Sequence, residues 1–392
     1  MNKKCHQVAA RMADIQPFHV MALLAKARQL EAQGKDLIHM EIGEPDFDSP
    51  SIVTAAAIEA IKQGKTHYTP AVGLPELRAA ISDFYRANYQ VDVDPQRIIV
   101  TPGASGALQL ALSVLINPGE KVLMADPGYP CNKHFVRLVE GQAVNIPVDE
   151  STHYQLTQAL CLKHWDDQVK GVMLASPSNP TGTLLDETEL QAMIAHCDKQ
   201  GAHIIVDEIY HNLVYDVQPN TALAYSDDIF LINSFSKYFG MTGWRVGWLV
   251  VPESYVPDVE KLAQNIFLAA STPAQHAAIA AFQPETITIL EERRKAYQAR
   301  RDYLVAALVD LGFSIHQVPE GAFYIYAGCE KFTSDSYSWV YELLEKAGVV
   351  ITPGIDFGEH QAQTHVRFAY TTSLDNLKEG VARLRAYFLV TR

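Results

Sequence analysis

Short apolar runs recur through the middle of the chain, and stretches with helical spacing separate them. Several runs are continuous rather than alternating, which is typical of strands buried on both faces of a sheet. Such runs, alternating with helices, predict a mostly parallel sheet covered by helices on both faces. The predicted strands are residues 97–101, 121–125, 142–148, 171–175, 203–207, 229–233 and 248–251. The predicted helices include residues 51–63 and 107–116, one that begins near Pro75, and a mostly helical stretch at 258–282 that is interrupted near Thr272 and Pro273.

The two ends of the chain have a different texture. Residues 8–33 predict one long helix, residues 37–42 predict a strand that turns at Gly43, and a charged helix at 285–311 leads away from the large sheet. We therefore predict an α/β fold in two parts. The large domain comprises residues 51–285. The smaller α+β domain is built from both chain ends: residues 1–50, which form an N-terminal arm and part of this domain, and residues 286–392. Its predicted strands are at 314–317, 322–327, 349–352 and 365–370, and its predicted helices are at 336–346 and 374–388.

Composition narrows the classes of function. The 392 residues have a net charge of -13, which argues against nucleic acid as a partner because phosphate binding requires a basic face. Five cysteines without close pairs fit neither a disulfide framework nor a zinc site, so we predict no metal and a cytoplasmic location. Runs of about 18 apolar residues are absent from the sequence, and no long apolar stretch follows its first lysines, so neither a membrane span nor export is expected.

Lys237 lies in a segment that suggests a cofactor. It follows the strand predicted at 229–233, close to Ser234 and Ser236, and Arg245 stands eight positions further on. An amine beside hydroxyl and guanidinium donors suits pyridoxal 5'-phosphate, whose aldehyde requires an amine and whose phosphate requires donors and positive charge. A lysine in a loop is more often a solvated charge, so this segment alone does not establish a site.

Other strand ends add polar groups to the same rim of the predicted sheet. Tyr129, Asn179, Asp207 and Tyr210 each lie at or just after a predicted strand, where ligands of parallel sheets bind. Each also has a structural explanation, as a packed ring, a turn residue or a helix cap, but their convergence favours a functional site. The small-residue turn at 102–106 is either a phosphate cup or a tight strand-to-helix connection, and its spacing matches no dinucleotide or triphosphate motif.

Three motifs, in this order, resemble those of the class I and II aminotransferases of fold type I, the family that includes aspartate aminotransferase. They are SNPTG at 178–182, DEIY at 207–210 and SFSK at 234–237, and the resemblance extends from GEPDF at 43–47 to Arg367. It implies a pyridoxal-phosphate-dependent homodimer with shared active sites. The cofactor-binding residues that it implies are Ala104, Ser105, Tyr129, Asn179, Asp207, Tyr210, Ser234, Ser236, Lys237 and Arg245, together with Tyr68 of the partner subunit.

The resemblance also implies chemical roles. Lys237 would bind the cofactor covalently and later move a proton within the substrate. Asp207 would keep the ring nitrogen protonated, and Tyr210 would hydrogen-bond the ring oxygen. Arg367 would bind the substrate α-carboxylate, because a planar guanidinium matches a carboxylate better than an ammonium does. The expected reaction moves an amino group from an L-amino acid to a 2-oxo acid by a ping-pong mechanism.

The side-chain pocket suggests which amino acids are preferred. By the resemblance, Gly43 and Asn179 would assist the carboxylate clamp. Ser105 and Phe267 stand where two bacterial subgroups of the family place a basic residue for a distal carboxylate, the second of them from the partner chain. With Ile15 and Phe18 as lid residues, the pocket favours a neutral or hydrophobic amino acid.

Three alternatives remain at this stage. An aspartate/2-oxoglutarate transaminase and a C–S or β-lyase would use the same cofactor site. A cofactor-sensing regulatory domain of this fold is disfavoured, because the motifs begin at Gly43, too early for an added DNA-binding domain, and the chain is acidic.

Overall fold

The computed structural model describes residues 8–390. Most strands in that range belong to one large sheet, and short strands near both chain ends form two smaller sheets. In chain order the strands are β1 (Ile38–His39), β2 (Ile98–Thr101), β3 (Lys121–Asp126), β4 (Gln142–Pro147), β5 (Val169–Ala175), β6 (His203–Asp207), β7 (Ile229–Ser234), β8 (Gly247–Val250), β9 (Tyr324–Gly328), β10 (Val349–Val350), β11 (Thr352–Pro353) and β12 (His365–Ala369).

The large sheet has seven strands in the order β2-β8-β7-β6-β5-β3-β4. Only β8 runs antiparallel to its neighbours, and the other pairings are parallel. The prediction of a mostly parallel sheet is therefore confirmed. Because the parallel strands point the same way, the residues after β3, β5, β6 and β7 meet at one edge of the sheet.

The two small sheets join the beginning of the chain to its end. Strand β1 pairs in parallel with β10, so that Ile38 faces Val349. Strands β11, β12 and β9 form an antiparallel sheet in which Arg367 pairs with both Thr352 and Tyr326. This pairing agrees with a second unit built from both chain ends, while the proposed boundaries near residues 50 and 285 remain a prediction.

Helices cover the large sheet and connect it to the smaller ones. In the part of the chain that is described, none of the helices combines the length and apolar character that crossing a membrane requires. The helices are α1 (His19–Glu31), α2 (Ser51–Lys62), α3 (Pro75–Tyr89), α4 (Gly103–Leu115), α5 (Cys131–Leu138), α6 (Gln158–Lys163), α7 (Glu187–Gln200), α8 (Val256–Ile266), α9 (Thr272–Ala280), α10 (Pro284–Leu311), α11 (Ser336–Glu342) and α12 (Leu374–Val390).

Three predicted elements differ from the structure. The single helix predicted at 8–33 is wrong, because Gln16 precedes Pro17 and a residue before proline is pushed out of the helical region; a short 3-10 turn comes first and α1 begins only at His19. The strand predicted at 314–317 is reduced to one bridge between Ser314 and Gly328. The predicted turn at 102–106 is largely the first turn of α4, which begins at Gly103.

Candidate active site

A cavity of about 280 Å³ opens at the carboxyl edge of the large sheet, beside the small sheet that contains β12. Segments that follow β2, β3, β5, β6 and β7 contribute to its wall, as the parallel topology requires. It brings together residues that lie far apart in the sequence. The predicted site residues that line it are Gly43, Ala104, Ser105, Tyr129, Asn179, Asp207, Tyr210, Ser236, Lys237, Arg245 and Arg367, together with the predicted lid residue Phe18.

Lys237 lies just past the end of β7, with its amine in this cavity. Its Nζ donates a hydrogen bond to the carbonyl oxygen of Gly43 at 2.7 Å. Burial, together with the positive charges of Arg367 and Arg245, lowers the pKa of Lys237 to about 8. A substantial fraction of the amine is therefore neutral, and hence nucleophilic, near physiological pH.

Asp207 is the last residue of β6 and is buried. Its Oδ1 accepts a hydrogen bond from the backbone N–H of Ile209 at 3.0 Å. Burial raises the pKa of Asp207 to about 6, although the Ile209 hydrogen bond and the nearby charge of Lys237 oppose that shift. A positively charged partner within the cavity would stabilise the carboxylate and lower this pKa again.

Arg245 lies against the N terminus of α4, at the end of the cavity where Ala104 and Ser105 are found. Its Nη1 donates to the carbonyl oxygen of Thr242 at 3.0 Å and to the hydroxyl of Ser236 at 3.4 Å. Gly103 makes room for it, because a Cβ at this position would stand 2.5 Å from Arg245 Nη2. Guanidinium, hydroxyl and helix N terminus together form an anion-binding corner.

Arg367, on β12, is buried between two aromatic rings. The carbon of its guanidinium lies 4.1 Å from the ring centre of Tyr324 and 4.6 Å from that of Phe357. Its Nη1 donates to Asn179 Oδ1 at 2.9 Å, and its Nη2 donates to the carbonyl oxygen of Glu41 at 2.6 Å. Its Nε is buried without a hydrogen-bond partner among the described residues.

Four predicted site residues are not in the wall of this cavity. Ser234 is buried behind Ser236 and donates to its hydroxyl at 2.9 Å. Tyr68 is 85% exposed on its own chain. Phe267 packs against the apolar cluster that contains Leu108, and Ile15 is half-buried before α1 and does not line the cavity.

These positions leave the four predictions in different states. Ser234 contacts the lining residue Ser236, and its role in cofactor binding remains a prediction. The roles of Tyr68 and Phe267 involve the partner subunit and remain predictions. Ile15 does not line the cavity, whereas the nearby Phe18, Val20 and Met21 do, and the lid role of Ile15 remains a prediction.

Tyr324 is the main wall residue that the motifs did not indicate. It belongs to β9, lies among apolar neighbours and is 2% exposed. In the sequence it therefore has the pattern of a core residue. Only its pairing partner β12, which contains Arg367, could have suggested a place in the site.

The chain is similar to known proteins over nearly its whole length. The family model for aminotransferase class I and II matches residues 35–384.

The chain belongs to this aminotransferase family.

Individual relatives of this aminotransferase agree with that assignment. It is 36% identical to (5-formylfuran-3-yl)methyl phosphate transaminase from Methanocaldococcus jannaschii, over 97% of this chain and 99% of the relative. It is also 36% identical to valine–pyruvate aminotransferase from Mycobacterium tuberculosis, over 97% of this chain and 98% of that protein. The crystal structure of an aminotransferase from Mycobacterium tuberculosis superposes with a TM-score of 0.94 at 35% identity, covering 98% of this chain and all of that one. The protein is thus a transaminase with the α/β fold of this family.

Proposed function

We propose that this aminotransferase uses pyridoxal 5'-phosphate to move an amino group between a neutral or hydrophobic L-amino acid and a 2-oxo acid. The observation that supports the proposal best is the distribution of charge in the cavity. Among the described residues its basic side chains are Lys237, Arg245 and Arg367. They would bind three different groups: the cofactor aldehyde, the cofactor phosphate and the substrate α-carboxylate. Apolar side chains make up much of the remaining wall, on the side of α1 and α4.

The cavity fits the cofactor at both ends. The corner formed by Arg245, Ser236 and the N terminus of α4 suits a phosphate, and no side chain caps α4 within the described residues. At the other end, Asp207 is a buried carboxylate whose raised pKa calls for a cationic partner, such as a protonated ring nitrogen. Tyr129 and Tyr210 line the space between these ends and would contact the ring.

When bound, the cofactor supplies an aldehyde that condenses with amines and a ring that takes up electrons from the substrate Cα. Lys237 contributes the amine that holds the cofactor and, once released, a base whose pKa of about 8 suits proton transfer near neutral pH. It would take the proton from the substrate Cα and deliver it to the neighbouring cofactor carbon. Positioned groups of this kind typically accelerate such a step by about a hundredfold to ten-thousandfold.

Arg367 would bind the substrate α-carboxylate. Its guanidinium is held in one plane by two rings and turned within that plane by Asn179 and Glu41. The guanidinium is charged and belongs to the wall of the cavity, and charge-assisted hydrogen bonds from a guanidinium to a carboxylate are strong. A carboxylate held there would orient the Cα toward Lys237.

The preference for a neutral or hydrophobic side chain rests on the apolar part of the wall. Phe18, Val20, Met21, Ile42 and Leu108 line it. Among residues 8–390, no lysine or arginine besides Lys237, Arg245 and Arg367 lines the cavity to meet a distal carboxylate. The relative named valine–pyruvate aminotransferase is consistent with such a preference.

The proposed assembly is a homodimer in which the exposed Tyr68 reaches the cofactor phosphate of the partner subunit. The proposed compartment is the cytoplasm, on the grounds of five cysteines without paired spacing.

The test begins with the visible absorption of the purified protein after incubation with pyridoxal 5'-phosphate and dialysis. We expect a band that wild type retains and Lys237→Ala loses. Single amino acids are then added, and kcat/KM is measured with pyruvate or 2-oxoglutarate as the acceptor. We expect kcat/KM to be higher for valine, leucine, alanine and phenylalanine than for aspartate and glutamate.

Three outcomes would contradict parts of the proposal. A clear preference for aspartate would overturn the substrate assignment and favour the aspartate/2-oxoglutarate alternative. Release of pyruvate and ammonia from one amino acid, without an acceptor, would indicate a lyase. A band that survives dialysis in Lys237→Ala would contradict the role of the lysine.

A further inference from the structure

Tyr324 touches three residues of the site at once. Its ring lies against the guanidinium of Arg367, with 4.1 Å between the guanidinium carbon and the ring centre. Its hydroxyl oxygen is 2.9 Å from that of Tyr210. The same hydroxyl fills the space beside Gly43, where any added Cβ would overlap it. One side chain thus connects the carboxylate clamp, the cofactor-facing phenol and the loop that holds Lys237.

The ring of Tyr324 determines how Arg367 is oriented. A guanidinium stacked between Tyr324 and Phe357 cannot tilt without losing contact with both rings, and cation–π contacts gain strength when they are shielded from water. The hydrogen bonds to Asn179 and Glu41 then fix the rotation within the plane. The remaining N–H groups consequently point in a defined direction.

The hydroxyl of Tyr324 is a hydrogen-bond partner of the Tyr210 hydroxyl, and either phenol can be the donor. Each phenol has one proton to donate, and the two oxygens are close enough to share one of them. When Tyr324 donates to Tyr210, the proton of Tyr210 must turn to a third group, and Tyr210 lines the cavity. Because Gly43 has no Cβ, the Tyr324 hydroxyl fits beside its backbone, and any larger residue at position 43 would displace it.

We propose that Tyr324 is a positioning residue with two separable functions, which rest on the function proposed above. Its ring orients Arg367 for the substrate carboxylate, and its hydroxyl orients the hydroxyl of Tyr210 toward the cofactor. Tyr324→Phe removes only the second function, and Tyr324→Leu removes both.

The experiment compares these two variants with wild type, Tyr210→Phe and a control on the same strand. Tyr326→Phe is the control, because its buried hydroxyl has no partner among the described residues and Tyr326 does not line the cavity. The first measurement is the dissociation constant of 3-phenylpropionate, a carboxylate that lacks an amino group. The second is the pH midpoint of the visible absorption of the bound cofactor.

For Tyr324→Phe we expect the midpoint to move upward, as in Tyr210→Phe, by about half a pH unit or more. Its dissociation constant for 3-phenylpropionate should stay within about twofold of wild type. Tyr324→Leu should raise the dissociation constant of 3-phenylpropionate by about tenfold. Tyr326→Phe should match wild type in both measurements.

A wild-type midpoint in Tyr324→Phe would overturn the role of the hydroxyl, and this variant decides the question even if Tyr324→Leu does not fold. Unchanged 3-phenylpropionate affinity in a folded Tyr324→Leu would overturn the role of the ring. Failure of wild type itself to bind pyridoxal 5'-phosphate would instead refute the function proposed above.

Discussion

Gly103 and Arg245 come from distant parts of the chain and share one small volume at the N terminus of α4. Both have a positive φ, 71° for Gly103 and 54° for Arg245. The glycine is thus required twice, for its backbone conformation and for the space that it leaves.

Gly103→Ala should weaken the binding of pyridoxal 5'-phosphate by about tenfold, because displacing the guanidinium removes a charge-assisted contact of about 1.5 kcal/mol. The matched control is Gly201→Ala. Gly201 has a similar φ of 64° but no heavy atom within 4 Å of an added Cβ. Both variants should lose a similar amount of unfolding free energy, about 1–2 kcal/mol. Equal cofactor dissociation constants in the two variants would refute the explanation.

Some site residues could be predicted from the sequence at this scale and others could not. Lys237, Asp207 and Asn179 follow strands within recognisable motifs, and the parallel topology brings strand ends together. Tyr324 lies inside an apolar strand, where a tyrosine usually means core packing. Its role depends on a neighbour on the adjacent strand, Arg367, and strand register is not written in either segment alone.

Helix α1 illustrates what an element gains from a distant side chain. Its N terminus has no cap from its own segment. Instead, the carboxylate of Asp356 accepts hydrogen bonds from the backbone N–H groups of His19 at 2.9 Å and Val20 at 2.8 Å. Burial raises the pKa of Asp356, whereas these two N–H groups act in the opposite direction. The cap holds the segment Phe18–Met21 at the cavity.

Asp356→Ala should lower the unfolding free energy by about 1–2 kcal/mol, the usual cost of losing a helix cap. It should also raise KM for hydrophobic amino donors more than it lowers kcat, because the apolar wall shifts while Lys237 and Arg367 stay in place. Asp356→Asn keeps one carbonyl acceptor, so its unfolding free energy and its KM should lie between those of wild type and Asp356→Ala. If KM in Asp356→Ala rises equally for alanine and for leucine as donors, the apolar wall is not involved.

The elements themselves were predictable where hydrophobic period and local breakers agreed. The buried strands of the large sheet have runs of β-branched residues, and their predicted bounds lie close to the observed ones. The error at 8–33 came from giving too little weight to Pro17. Residues 314–317 do not form a strand, because only Ser314 pairs with the neighbouring chain segment, in one bridge to Gly328.

At the scale of the whole molecule, His39 ties the first small strand to α1. Its Nδ1 lies 2.7 Å from Glu41 Oε1 and its Nε2 lies 3.1 Å from Glu31 Oε1. The hydrogen bond to Glu41 outweighs partial burial and raises the pKa of His39 to about 9. The folded state therefore binds this proton more tightly than the unfolded state, whose value is about 6.5.

The contribution of His39 to stability should be fully present below about pH 6.5 and lost as the pH rises through about 9. His39→Asn does not titrate, so the difference in unfolding free energy between wild type and this variant should shrink across that window. Urea unfolding of both proteins at several pH values measures it. A difference independent of pH would refute the charged state of His39.

The proposed dimer makes a prediction that only two chains together can test. Lys237→Ala lacks the amine and Tyr68→Ala lacks the proposed contact to the partner, so each homodimer should be impaired. A mixed dimer contains one site with both residues intact. Unfolding and refolding the two variants together should therefore restore roughly a quarter of wild-type activity if Tyr68→Ala alone is nearly inactive. No gain over the separately refolded variants would place Tyr68 outside the shared site.

The hydrogen bonds that assemble the cavity span long stretches of sequence. Lys237 and Gly43 are 194 residues apart, Arg367 and Asn179 are 188 apart, and Arg367 and Glu41 are 326 apart. Contacts of such separation form only after much of the chain has been ordered. A chain that is still being synthesised lacks Arg367 until long after Gly43, Asn179 and Lys237 have been added. Retention of the proposed cofactor would then report completed folding, and supplying it early would do little to guide the first steps.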